Sequence, residues 1–149
     1  VSTFKQRKTQ RALRAGLVGT TGFVAFWAFA GAFGLISGGA ELGAEITSRL
    51  PHRSPVLAGL LLAAIVGAPM AATAILGLRA RPSAALVGVG GGALLLGWVT
   101  VQPFVIGQFS WLQPVFGVLG IAVCLLGYRL HRLTTSYAPP RIPFGASPA

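Results

Sequence analysis

Four long apolar runs decide what this chain can become. They cover residues 15–39, 55–78, 83–105 and 111–128, to within a residue or two. A helix of about 20 apolar residues crosses a hydrocarbon core of about 30 Å. The runs are continuous and dominated by Ala, Leu and Gly. A membrane barrel needs short segments whose residues alternate between lipid and lumen, so a barrel is excluded. Helices satisfy their own backbone hydrogen bonds, which lipid cannot do. The fold class is therefore all-α: a polytopic membrane protein built as a four-transmembrane-helix bundle. Charge usage agrees. Only 9% of residues are charged, against about 25% in soluble domains.

The net charge of +10 lies almost wholly between and outside the apolar runs. Residues 1–14 form a basic arm with Lys5, Arg7, Lys8, Arg11 and Arg14 and no acid. Such an arm suits the anionic lipid of a membrane surface. Nucleic acid is not expected as a partner, because no groove-reading motif accompanies the charge. A signal peptide also begins with positive charge, and the small residues at 38–40 resemble a cleavage site. The first run is too long for a signal core, so an uncleaved helix is expected. With the N-terminus in the cytoplasm, ten Lys and Arg residues fall inside and only Arg49 and Arg53 outside. The positive-inside rule then places both termini in the cytoplasm. Residues 129–149 read as a Pro-rich cytoplasmic tail without fixed structure.

Within the runs, proline and glycine carry most of the local information. Ser54-Pro55 reads as a cap and first turn for the second helix. Pro69 should kink that helix, and Thr73 can return its hydroxyl to the turn before it. Gly88 and Gly92 in the third helix have the small-xxx-small spacing that lets another backbone come close. Whether helix 1, helix 4 or a second copy fills that place stays open. Pro103 should free a carbonyl near Val99. Pro114 falls in the first turn of the fourth helix, where a missing N–H costs little. Trp98, Trp111 and Tyr128 suit interfacial positions.

Polar groups converge only on the outer side. Glu41, Glu45, His52, Gln102, Gln108 and Gln113 form a candidate cluster there. A carboxylate near a membrane is a functional candidate by default. The competing reading is a solvated surface in which Glu45 pairs with Arg49 one helical turn on, a weak interaction. Gln102-Pro103 and Gln113-Pro114 flank the last hairpin, and their amides can bridge the two helices.

Enzyme signatures do not emerge. No His/Cys cluster has metal-ligand spacing, and no phosphate loop is present because the run at Gly88–Gly92 lacks the lysine and the preceding strand. No cofactor is expected. Cys124, the single cysteine, reads as a small packing side chain.

The chain resembles a group of small, uncharacterised four-helix integral membrane proteins of high-GC bacteria. Leu50-Pro51 with Pro55, Val66-Gly67-Ala68-Pro69-Met70, and Trp98 with Trp111-Leu112-Gln113-Pro114 carry the resemblance. The architecture is also similar to DoxX-like four-helix proteins, without a motif for their redox roles. The resemblance implies the fold and no activity. Two functional expectations follow from the residues. One is a non-enzymatic packing partner or accessory subunit that forms homo- or hetero-oligomers through Gly-rich faces. The other is a small transporter or ligand-binding protein using Pro69 and the outer polar cluster.

Overall fold

The computed structural model describes residues 2–39 and 43–136, and these are helical nearly throughout, with no strand among them. Helix α1 spans Ser2–Ile36. A short helix α2 spans Gly43–Arg49, and a single 3-10 turn covers Pro51–Arg53. Helix α3 (Pro55–Leu62), a π-helical turn (Ala63–Gly67) and α4 (Ala68–Leu78) run on as one span. Helices α5 (Ala84–Ile106) and α6 (Leu112–Thr135) complete the bundle. Four spans are long and apolar enough to cross a membrane.

The first helix differs from the expected 15–39. It starts at Ser2, so the basic arm forms its opening turns. Those turns keep their helical hydrogen bonds while charges project to the side. At 35 residues α1 is about 52 Å long, well beyond the hydrocarbon thickness. It stops at Ile36 because Gly38 takes a left-handed φ of 73°. The last helix runs on to Thr135, so residues 129–135 are helical rather than part of an unstructured tail, because nothing there breaks the helix; residues 137–149 lie outside the described residues.

The second span begins as its sequence dictates. Ser54 is extended, and its hydroxyl accepts from the Leu57 N–H at 3.2 Å, with Pro55 in the first turn. The break at Pro69 is handled by the π turn before it. The Ala68 N–H donates to Ala63 O, five residues back. This shift absorbs the lost donor at Pro69. The Thr73 hydroxyl then donates to Pro69 O at 2.8 Å.

Packing is organised by small residues. Helices α5 and α6 form an antiparallel pair in close contact. A Cβ on Gly92 would fall 2.9 Å from Gly120 O and 2.6 Å from Cys124 Sγ. A Cβ on Gly127 would fall 2.7 Å from Ala85 O. Gly92 and Ala85 are seven residues apart, as are Gly120 and Gly127, so the touch points recur every two turns along the seam. Helix α1 lies across the α3–α4 span and also meets α6. The interior of the bundle is filled by Leu17, Val24, Val66, Met70, Leu95 and Val123, all fully buried.

Only 22–33% of the most apolar stretch of each span is fully buried inside the protein. The outward set includes Phe23, Phe26, Trp27 and Phe33 on α1, and Phe104, Phe109 and Trp111 around the last hairpin. In water such a surface would drive aggregation; in lipid it is at equilibrium.

Candidate functional site

The polar residues at the α2 end of the bundle settle into separate local arrangements. Glu41 lies outside the described residues. Glu45 accepts from Arg49 Nη2 at 3.0 Å, one turn away on α2. Arg49 Nη1 also donates to the Ile106 carbonyl at 3.4 Å. That carbonyl is among the last of α5, where intrahelical partners run out and a cation is favoured. Gly107 follows with a left-handed φ of 70°, and its N–H returns to Pro103 O at 2.9 Å. A Cβ at Gly107 would run into the Arg49 guanidinium. Arg49 thus ties α2 to the end of α5. Both partners of the ion pair are well exposed, at 45% for Arg49 and 72% for Glu45, so water screens it.

The other members do not join this pair. His52 is exposed on the 3-10 turn at a left-handed φ of 55°. Gln108 is exposed in the link between α5 and α6, and Gln102 is half-buried on α5. Gln113 is buried, and its Oε1 accepts from the Ser110 N–H at 3.4 Å. The Gln113 N–H in turn donates to Ser110 O at 3.0 Å. Among the described residues no hydrogen bond joins Gln102 to Gln113, so the expected amide clamp does not form. A local bond to its own turn orders fewer groups than a bridge between helices.

Of the small residues and prolines singled out by sequence, Gly88, Gly92 and Pro69 meet neighbouring helices. Gly88 faces α1 and α4, where an added Cβ would lie 3.2 Å from both Leu17 Cδ1 and Thr73 Cγ2. Gly92 faces α6 instead. The pair at 88 and 92 therefore serves two neighbours rather than one. Pro69 packs under Gly91, whose added Cβ would sit 3.4 Å from the proline Cβ. Pro103 lies inside the last turns of α5, and its carbonyl is taken by the Gly107 N–H. Trp98 is engaged with its neighbours rather than free at the surface. It is half-buried against the core, and its indole N–H is buried without an acceptor.

Two features went unnoticed in the sequence. One is the seam position of Gly120 and Gly127, whose spacing matches Ala85 and Gly92 on the preceding span. The other is an outward line on α5. Gly90 and Gly97 are exposed, and an added Cβ at either would meet nothing within 4 Å. Ala93 is exposed between them.

The opposite end of the bundle is uniformly basic. Lys5, Arg7, Lys8, Arg11 and Arg14 on α1 join Arg79 and Arg81 of the α4–α5 turn and Arg129 and Arg132 of α6. No acid lies at that end among the described residues.

Helices of this length and apolarity, largely exposed along their lengths, define a polytopic membrane protein of four spans. No protein-family model, curated protein or solved structure matches the chain.

Proposed function

We propose that this protein is a non-enzymatic packing partner in the membrane, an accessory subunit or a homo-oligomer. The observation that carries the proposal is the outer face of α5. Glycine in a helix costs roughly 0.5–1 kcal/mol relative to alanine. At Gly92 and Gly127 that cost is offset by close approach of α5 and α6. At Gly90 and Gly97 no described residue occupies the space a side chain would fill. With Ala93 between them they leave a shallow furrow at membrane depth, of the kind that admits another helix.

Transport through the Pro69 region has less support. The proline lies against Gly91, and its carbonyl is taken by the Thr73 hydroxyl. Of the proposed outer cluster, Glu45 is neutralised at the surface by Arg49. The likeness to DoxX-like proteins contributes the helix count alone to this proposal.

Orientation belongs to the same proposal. The basic end carries Lys5 to Arg14, Arg79, Arg81, Arg129 and Arg132, and the positive-inside rule puts it in the cytoplasm. The resemblance to four-helix membrane proteins of high-GC bacteria supports a bacterial inner membrane as the site.

The experiment is isolation in mild detergent and in nanodiscs, with mass measured on intact particles. A dimer or a co-isolated membrane protein is expected. Gly90→Leu/Gly97→Leu should dissociate it while the monomer stays folded. A lone monomer from the unmodified chain refutes the proposal.

A further inference from the structure

The basic end of the bundle is more than a diffuse field of charge. A groove of about 530 Å³ opens between α1, the α4–α5 turn and the end of α6. Its α1 wall carries Gln6, Arg7, Gln10 and Arg14, which share one side of the helix at three- and four-residue spacing. Pro82 closes it from the turn and Thr134 from α6. Two arginines, Arg7 and Arg14, thus line the same depression, with Gln10 and Thr134 beside them.

Its depth relative to the membrane follows from the fold. The turn at 79–83 joins the ends of two apolar spans, so it marks the level at which hydrocarbon gives way to headgroups. Pro82 belongs to that turn. Arg14 precedes the buried Leu17 by less than one helical turn, so it stands at the same level. Arg7 stands two turns further out, about 10 Å along the axis. The groove therefore begins in the headgroup layer and opens toward water. No carboxylate at this end competes for the guanidinium groups among the described residues.

We infer that this groove binds the phosphate headgroup of an anionic phospholipid, held by Arg7 and Arg14. Arg suits the task because its planar fork meets phosphate oxygens with two parallel hydrogen bonds. Gln10 lies on the same wall and can add an amide donor. The acyl chains run down along the apolar spans below. The site does not depend on whether the outer face of α5 has a partner, since it lies on other helices.

Full-length protein reconstituted with equal phosphatidylglycerol and phosphatidylcholine of identical chains provides the test. Lipid retained after extraction is counted by mass spectrometry of the intact complex. Phosphatidylglycerol should be retained in preference, and Arg7→Gln/Arg14→Gln should lower its retention by about tenfold or more. Arg11→Gln/Arg129→Gln removes the same charge outside the groove and should change it less than about twofold. Arg7→Lys/Arg14→Lys keeps the charge and should fall between. Equal losses in the two glutamine variants would mean a nonspecific field and overturn the site. Equal retention of the two lipids by the unmodified protein overturns it without any variant. Displacement of the lipid by millimolar inorganic phosphate would make the free anion the ligand and overturn the lipid assignment.

Discussion

Replacing Gly127 with alanine adds one methyl group where two helix backbones touch. Its Cβ would lie 2.7 Å from Ala85 O, 3.0 Å from Val89 Cγ2 and 3.1 Å from Val89 N. The first distance is about 0.7 Å inside the 3.4 Å limit of ordinary contact. Two of the three atoms are backbone, so a rotamer change cannot relieve them. Helices α5 and α6 must part along the seam, and the contact at Gly92 and Gly120 loosens with them. Overpacking of this kind costs about 1–3 kcal/mol. Alanine returns up to about 1 kcal/mol through helix propensity. With the full propensity return the net expectation is destabilisation by up to about 2 kcal/mol. Gly90→Ala is the matched comparison in the dissociated protomer, where it gains the same propensity and its methyl meets no described residue. It should be neutral or stabilise by up to about 1 kcal/mol. Reversible unfolding in mixed micelles, followed by far-UV circular dichroism, measures both. Equal effects of the same sign at the two positions would refute the reading of the seam.

Two further outcomes follow. Thr73→Val removes the hydroxyl that returns to Pro69 O but keeps the shape that packs on Gly88. It should cost about 0.5–1.5 kcal/mol in the same unfolding assay. A reporter active only in the cytoplasm should work when fused after Ala149, and a periplasmic reporter at the same place should be silent. The reverse pattern would overturn the orientation.

Much of the local structure was legible because it depends on residues close in sequence. Ser54 and Pro55 fix the start of α3 through a cap and a preset φ. Glu45 and Arg49 pair because four residues make one turn. Thr73 reaches Pro69 for the same reason. The candidate site was legible only in part. Gln113 looked outward and bridging, yet it turns inward to Ser110. The glycines of α5 looked like one face, yet Gly88, Gly92 and Gly90 point to three different neighbours: α1 with α4, then α6, then the exterior. Successive residues on a helix are about 100° apart, so a dense glycine run covers several faces at once. Sequence periodicity cannot choose between them when nearly every residue is apolar.

By itself, the sequence determined the solvent and the number of crossings. Lipid demands helices that satisfy their own backbone, and the lengths of four apolar runs meet that demand whatever they pack against. Tertiary structure alone decided which helices touch and where. Between apolar helices in lipid no hydrophobic force selects a partner, so the choice falls to shape. The α5–α6 seam forms where Ala85 and Gly92 meet Gly127 and Gly120, residues far apart in the chain whose match exists only once the hairpin has closed.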